Sequence, residues 1–301
     1  MSLSPDTRPT DTGVIHDIGY RGYAGPRLGR AYATRSLFTQ SLRAAYGLGR
    51  SGKSKVLPML VLGAAAVPAV MIVVITVVAK QDKLSMDYAE YLSGVGLVVS
   101  IFLASQAPVL FSRDLRHHTV PLYFSRPITR ADYVRAKYAA MVCAQLLLML
   151  VPLLVLYVGA LLSGLSFGHE TEHFLYGLTA AVLYALVPTS IAVVIAAATP
   201  RRGFGVAAIM GYLAVSTVVV AIVIGISGTT ADGGASDSAQ WAALLSPGAL
   251  VESLTNQVFD LGSGPERLHA PGGLGVVVFV AVAAVMVAGS YRLLLRRYRG
   301  I

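Results

Sequence analysis

Two short runs in this chain match patterns that carry chemistry in other proteins, and the first is a phosphate-binding pattern. Residues 47–54, GLGRSGKS, match G-x-x-x-x-G-K-S/T, in which backbone N–H groups and a lysine surround the phosphates of a nucleotide. Such a loop follows a buried strand in an α/β domain, whereas here RAAY precedes it and a long apolar run follows within two residues. The context therefore favours anchoring of a membrane span by Arg50, Lys53 and Lys55 over a nucleotide site.

The second run, HETEH at 169–173, matches the zinc pattern H-E-x-x-H. On a helix this spacing places His169 and His173 on one face, with Glu170 beside them as a general base. A zinc enzyme needs a third protein ligand, which Glu252 or Asp260 could supply. The simpler interpretation is the polar start of a helix, because acidic residues in a first turn complement the helix dipole. The two histidines are kept as weak candidates for a metal site.

The elements that hold these residues follow from composition. The chain has 301 residues, of which 55% are hydrophobic and only 13% are charged, whereas soluble domains carry about 25% charged residues. Runs of about 20 apolar residues are long enough to cross a bilayer as helices. Six runs without Asp, Glu, Lys, Arg or His are present, at 56–79, 91–111, 138–162, 174–198, 204–226 and 274–291. The predicted fold class is an all-α polytopic membrane protein.

The distribution of basic residues predicts the orientation of the six spans. The segments before the first span, between the second and third, between the fourth and fifth, and after the sixth hold 21 of the 24 Lys and Arg residues. Basic loops stay on the cytoplasmic side, so both termini and the loop 112–137 are expected there. Attraction to anionic lipids accounts for the net charge of +9, and no nucleic-acid partner is needed.

The sequence divides into four predicted segments. We expect a flexible cytoplasmic tail at 1–30, an amphipathic interfacial helix and linker at 31–55, a six-helix membrane domain at 56–295, and a cytoplasmic tail at 296–301. The outer loop 228–272 is apolar in its middle, and Ser246 and Pro247 predict a helix start there. Because this piece is too short to span, it is expected to form a re-entrant or interfacial helical hairpin before the last span.

The loop 112–137 is unusually long for a connection between packed helices. We expect the second span to continue into water through Arg113 and Asp114. Thr119 can then cap a short helix at 120–125, and Pro127 ends it. Thr129 and Asp132 have the spacing of a capping box.

Apolar side chains on the short helix predict a contact with another protein. The helix carries Leu122, Tyr123 and Phe124, flanked by Arg126 and Arg130. Aromatic and arginine side chains of this kind are common at the centres of protein interfaces. The alternative is that the three apolar residues dip into the membrane surface as an aromatic belt does.

This loop resembles the cytoplasmic loop of ABC transporter permeases of the exporter-like type 2 membrane family. The resemblance rests on Arg113-Asp114, Thr119, the run PLYFSRPITR at 121–130, Tyr133 and Lys137. It extends over the chain in the basic interfacial helix, the six spans and the long last outer loop. One departure is His118, which stands where the family usually has glycine.

The resemblance implies a permease that works as a homodimer or pseudo-dimer. Its short helix would be the coupling helix, which inserts into a groove on a cytoplasmic ATPase present in two copies. The second and fifth spans of the two protomers would face a central pathway. The residues implied in ATPase coupling are Arg113, Asp114, Thr119, Leu122, Tyr123, Phe124, Arg126, Pro127 and Arg130, and those implied in the pathway are Gln106, Met210, Tyr212 and Ser216.

The energy source can be argued from the spans themselves. Ion-driven transporters keep ionisable residues inside their spans, and the six apolar runs contain none. The energy would therefore come from a separate subunit. By resemblance, we expect an exporter in the bacterial cytoplasmic (inner) membrane that works by alternating access. It would hold no cofactor and would not itself be an enzyme, because Mg-ATP would be hydrolysed on the partner chain. An intramembrane zinc protease and a non-transporting membrane anchor are the alternatives.

Overall fold

Six apolar helices dominate the computed structural model of this protein. The structure describes residues 25, 28–116, 120–125, 127–227, 236–261 and 268–299. Within these ranges the chain forms helices and turns without a strand. The segments long and apolar enough to cross a membrane are Lys53–Val78, Gly96–Arg116, Arg130–Leu162, Phe167–Ala198, Arg202–Ser227 and Gly272–Arg299. The prediction of an all-α polytopic membrane protein with six spans is confirmed.

The described residues form twelve α-helices. In chain order they are α1 (Arg30–Ala45), α2 (Lys53–Val78), α3 (Tyr88–Gly94), α4 (Gly96–Leu110), α5 (Ser112–Arg116), α6 (Val120–Phe124), α7 (Arg130–Leu162), α8 (Phe167–Ala198), α9 (Arg202–Ser227), α10 (Asp237–Ala242), α11 (Pro247–Phe259) and α12 (Gly272–Arg299). A short 3₁₀ turn at Ala243–Leu245 precedes α11. Successive spans are antiparallel, so α1, α5, α6 and the end of α12 meet at one end of the bundle, here called the α6 end. Helices α3, α10 and α11 lie at the opposite end, here called the α11 end.

Burial separates central helices from peripheral ones. In the apolar windows of α7, α8 and the span that contains α4, 50%, 61% and 67% of residues are buried, against 17% in α9 and α12. An apolar helix surface without a protein neighbour is suited to lipid, because the hydrocarbon core is as apolar as the side chains. Helices α4, α7 and α8 thus form the core around which the other spans pack.

The second span differs from its predicted bounds. The prediction of one run at 91–111 is replaced by α3 and α4, which are separated at Val95, where the backbone leaves helical geometry (φ −92°, ψ 10°). Gly94 and Gly96 flank this residue, and glycine weakens a helix interior. The prediction that a helix starting at Arg130 continues unbroken into the third span is confirmed by α7.

The first predicted tail lies almost entirely outside the described residues. Most of the second predicted tail is a continuation of α12. The first helix already begins at Arg30, and residues 1–24, 26 and 27 lie outside the described part of the chain. At the other end, the tail expected at 296–301 belongs to α12 as far as Arg299. Tyr298 is fully buried there, which keeps this last turn packed against the bundle.

Helix α1 lies against the protein with the face that the sequence marks as apolar. Leu37 and Ala45 are buried, and the Tyr46 hydroxyl donates to the Ala144 carbonyl of α7 at 2.8 Å. Burial raises the pKa of the Tyr46 hydroxyl, so it stays protonated and remains a donor. The helix is thereby joined to the core at the α6 end.

The predicted helix at the α11 end forms, with one change of face. Helix α11 begins at Pro247, with Ser246 as the preceding residue. The sequence spacing predicts one apolar face from Leu250, Val251, Leu254 and Val258, opposite Asn256. The first three residues are buried, but Val258 is 53% exposed. Asn256, expected on the polar face, is buried and donates to the Leu268 carbonyl at 3.0 Å. This bond ties α11 to the segment that leads into α12.

Candidate functional site

A one-turn helix, α6, lies at the centre of the 112–137 loop. Its Val120 is buried, while Leu122 is 68% exposed. The Ser125 hydroxyl donates to the Leu122 carbonyl at 2.8 Å and closes the helix end, just before Pro127. His118, Thr119 and Arg126 lie outside the described residues, so the predicted Thr119 cap and the expected contact of Arg126 stay predictions.

The two aromatic residues of α6 pack on the protein. The rings of Tyr123 and Phe124 lie with their centroids 5.5 and 6.0 Å from the ring of Tyr133 on α7. The Arg130 guanidinium lies 5.6 Å from the centroid of Phe124. Such aromatic and cation–π contacts stabilise a surface helix that is too short to be stable alone. Of Leu122, Tyr123 and Phe124, Leu122 is mostly exposed and the two aromatic side chains are half-buried.

Tyr133 connects α6 to two further helices. It is fully buried, and its hydroxyl donates to Asp114 Oδ2 of α5 at 2.9 Å. Its ring centroid lies 5.2 Å from that of Tyr298 at the end of α12. One side chain thus contacts α5, α6 and α12 from its position on α7.

Asp114 and Lys137 form a buried ion pair beside this tyrosine. The Lys137 side chain is 5% exposed and that of Asp114 is 15% exposed. The Lys137 ammonium also donates to the Leu110 carbonyl at 2.5 Å and lies 5.0 Å from the Tyr133 ring centroid. Burial of a charge is costly unless it is paired and hydrogen-bonded, and these contacts supply that compensation. Together, Asp114, Tyr123, Phe124, Tyr133, Lys137 and Tyr298 are called the Tyr133 cluster.

The end of α8 is bound to the same region. The Ser112 hydroxyl donates to the Ala196 carbonyl at 2.7 Å, and Arg297 Nε donates to the Ala197 carbonyl at 2.8 Å. Carbonyls in the last turn of a helix have no partner within it, and a cation is favourable there. These bonds join α5 and α12 to the end of α8.

The first turn of α7 carries the predicted capping box. The Thr129 hydroxyl accepts a hydrogen bond from the Asp132 backbone N–H at 3.3 Å, and the Asp132 carboxylate accepts one from the Thr129 backbone N–H at 3.1 Å. Arg30 on α1 donates to both carboxylate oxygens of Asp132, at 2.5 and 2.9 Å. The cap therefore fixes the start of α7 and also holds α1.

This arrangement can carry a displacement of α6 into the bundle. Tyr133 lies on a membrane-spanning helix and contacts α5, α6 and α12, so a displacement of α6 would press on it. The motif residues Asp114, Tyr133 and Lys137 come together, although only Asp114 was predicted as a functional residue. Lys137 could have been recognised as one, since a lysine at the start of an apolar run requires a partner. Nothing in the sequence pointed to Tyr298.

One of the four candidate pathway residues lines a cavity within the chain. Met210 lines a cavity of about 500 Å³ between α4, α8, α9 and α11. Gln106 is buried and donates to the neighbouring Ser105 hydroxyl, and Ser216 is buried and donates to the Leu213 carbonyl. Tyr212 is half-buried and does not line this cavity. The predicted pathway lies between two protomers, so the roles of Gln106, Met210, Tyr212 and Ser216 in it stay predictions.

The H-E-x-x-H run joins two helices at the α11 end. Glu170 is buried and accepts from the Tyr88 hydroxyl of α3 at 2.7 Å, and His173 Nδ1 lies 3.1 Å from Asp87. The described residues contain no group of three or more His, Cys, Asp or Glu side chains that could hold a metal ion. The zinc protease alternative therefore has no support, and the run contributes contacts between α3 and α8.

The phosphate-binding pattern at 47–54 forms the turn between α1 and α2. The Gly47 and Leu48 amides donate to carbonyls near the end of α1, and the Ser54 amide donates to Ser51 in the turn. Gly47 has a left-handed backbone (φ 67°) close to Ser54, where a side chain would clash. The glycines of the pattern are used in this turn. Anchoring of the first span by Arg50, Lys53 and Lys55 is therefore preferred over a nucleotide site.

Comparison with protein families places much of the chain in a known family. Residues 70–298 match the model of a family described as ABC-2 family transporter protein. The matched residues include α3 to α11 and nearly all of α12. Among the curated proteins, no match is found.

Proposed function

The chain belongs to the ABC-2 family of transporter proteins, and from this premise we propose that it exports its substrate by alternating access, driven by a separate ATPase. The family makes it a membrane permease subunit of an ABC transporter. Members generally work with a cytoplasmic ABC ATPase, which hydrolyses Mg-ATP. Neither the zinc protease nor the non-transporting anchor is supported by this membership.

The observation that carries the proposal is the position of α6 on the Tyr133 cluster. Leu122 is 68% exposed, and the two aromatic side chains of the same helix pack against Tyr133 of α7. An exposed apolar side chain on a rigid support is a suitable centre for a protein interface. We assign the groove of the ATPase as its partner, with Arg113, Pro127 and Arg130 around it.

The mechanism follows from what the cluster connects. Two ATPase subunits closing on ATP would draw together the α6 helices of two permease copies. The buried Asp114–Lys137 pair and the Tyr133 ring would transfer this motion to α4, α7 and α12 as nearly rigid bodies. The two copies would then open toward the outer side of a bacterial cytoplasmic membrane, with both termini and α6 inside.

The affinity of the permease for its cognate ATPase tests this assignment. Leu122→Asp places a charge at the centre of the proposed contact, and we expect at least tenfold weaker binding, because burying an unpaired charge is strongly unfavourable. Affinity is measured between the purified ATPase and the permease in nanodiscs. Leu48→Asp is the matched control, since Leu48 is 43% exposed at the same end but lies outside α6. Equal binding by both variants would exclude α6 as the docking element.

A further inference from the structure

A pocket of about 750 Å³ lies at the α6 end and is lined by α1, the turn that follows it and α5. This volume is within the range of about 300–1,000 Å³ that is usual for small-molecule sites. Its main wall is one face of α1, on which Arg35, Thr39 and Arg43 are spaced four residues apart. Side chains at this spacing are neighbours along a helix. Arg50 of the turn and Arg113 of α5 complete the basic part of the wall.

The charge of this wall has one sign. Among the described residues that line the pocket, four are arginines and none is acidic. Asp114, which follows Arg113 in the chain, lies outside the wall and is paired with Lys137. A space of this volume is roughly 9 Å across, which is about one Debye length at physiological ionic strength. The positive potentials of the four guanidinium groups therefore add within the pocket.

These arginines differ from those that hold helices together. Arg30 is paired with Asp132, and Arg297 donates to the Ala197 carbonyl. The guanidinium groups of the four pocket arginines have no ion-pair or hydrogen-bond partner among the described residues. Like charges around one space repel each other. An anion in the pocket would remove this repulsion.

A phosphate group is the anion that suits this wall. Guanidinium groups present planar forks of N–H donors that match the oxygens of phosphate. The side chains of Ser36 and Gln40 line the same space and add neutral donors. A phosphate monoester or a diphosphate carries about two or more negative charges, which four cations bind more strongly than the single charge of a carboxylate. No nucleotide fold is needed, because side chains supply the donors.

We propose that this pocket binds a phosphate-bearing anion with at least two negative charges, held by Arg35, Arg43, Arg50 and Arg113. One ligand would then join α1, the turn and α5. The source of the phosphate is a soluble anion or the headgroup of an anionic lipid. General attraction of a basic surface to lipid depends on net charge alone, whereas this site depends on where the charges lie. The inference goes beyond the proposed function and does not require the ATPase contact.

Inorganic pyrophosphate is the soluble probe of this site. Its binding is measured by isothermal titration calorimetry with the permease in nanodiscs of phosphatidylcholine, and empty nanodiscs are subtracted. We expect saturable binding of one pyrophosphate per chain. The double variant Arg35→Gln/Arg43→Gln should weaken this binding about 25-fold, because each basic side chain near an anionic group contributes about fivefold.

Cardiolipin is the lipid probe. The permease in detergent is mixed with equal amounts of cardiolipin and phosphatidylcholine, and the retained lipids are counted by native mass spectrometry. We expect cardiolipin to be retained in preference to phosphatidylcholine, and the same double variant to lose that preference. The probe on which the double variant has the larger effect identifies the source of the phosphate.

Arg292→Gln/Arg296→Gln is the matched control. It removes the same two charges from exposed positions of α12 near the same end, outside the pocket wall, and should bind both probes as the unmodified protein does. Thermal unfolding checks that each variant is folded. The proposal is overturned if the control loses as much binding as Arg35→Gln/Arg43→Gln. It is equally overturned if the folded pocket variant keeps both probes, or if the unmodified protein binds neither.

Discussion

Lys137 is the side chain on which the interior of the α6 end most depends. Its ammonium is buried at the start of a span and is paired with Asp114. Removal of one partner from a buried pair leaves an uncompensated charge, which destabilises a protein by about 3–5 kcal/mol. We therefore expect Asp114→Ala to lower the free energy of unfolding by about that amount, measured by denaturant unfolding in mixed micelles.

Two further variants separate the pair from a general effect of charge. Adding Lys137→Met to Asp114→Ala removes the orphaned charge and should restore part of the lost stability. Arg113→Ala removes a neighbouring exposed charge and should change stability by less than about 0.5 kcal/mol. If Asp114→Ala were as mild as Arg113→Ala, the pair would not be a stabilising contact.

At the scale of elements, α6 is a five-residue helix that depends on its support. Isolated helices of this length do not form in water, so the contacts of Tyr123 and Phe124 with Tyr133 must hold it. Each aromatic contact of this kind contributes about 0.5–1.5 kcal/mol. Tyr133→Ala should therefore raise the rate of tryptic cleavage within the 112–137 loop at least about tenfold through local unfolding.

Tyr133→Phe is the matched control for this experiment. It keeps the ring on which α6 rests and removes only the hydrogen bond to Asp114. We expect cleavage within about fivefold of the unmodified protein, since one hydrogen bond contributes about 1 kcal/mol to such an opening. Rapid cleavage in both variants would mean that the hydroxyl, and not the ring, holds α6.

For the whole molecule, the orientation in the membrane is the property that every functional proposal requires. Cys143 is the single cysteine of the chain, so Cys143→Ser gives a background free of thiols. Ser125→Cys lies at the α6 end and Ser166→Cys at the opposite end, and both positions are exposed. We expect an impermeant maleimide to label Ser166→Cys in intact spheroplasts and Ser125→Cys only in inverted vesicles. The reverse pattern would place α6 on the wrong side for an ATPase.

The bundle also shows how residues at one end can act together. Tyr133, Lys137 and the capping residues all belong to the first turns of α7, which is the longest described helix at 33 residues. Helix α7 begins at Arg130, beside α6, and continues past Gln145, which lines the cavity between α4, α8, α9 and α11. It is therefore a continuous physical route between the proposed ATPase contact and this cavity.

The sequence by itself determined the six spans, the capping box at Thr129 and Asp132, and the short helix predicted at 120–125, which the structure has at 120–124. These features are local: bilayer thickness sets the length of an apolar run, and caps and prolines act on neighbouring residues. The side of the membrane was likewise predicted from the count of basic residues in each loop. The break at Val95 was missed because its flanking glycines lie inside an otherwise uniform apolar run.

Only the tertiary structure decided which side chains meet. Tyr133 and Tyr298 are 165 positions apart, and Gln145 and Val99 are 46 apart; no periodicity in the chain relates them. It also decided that Tyr123 and Phe124 pack inward, and that Glu252 faces a cavity. In a membrane helix nearly every face is apolar, so the pattern of residues does not reveal how the helix is rotated. Packing between helices sets that rotation, and with it the contacts of each polar side chain.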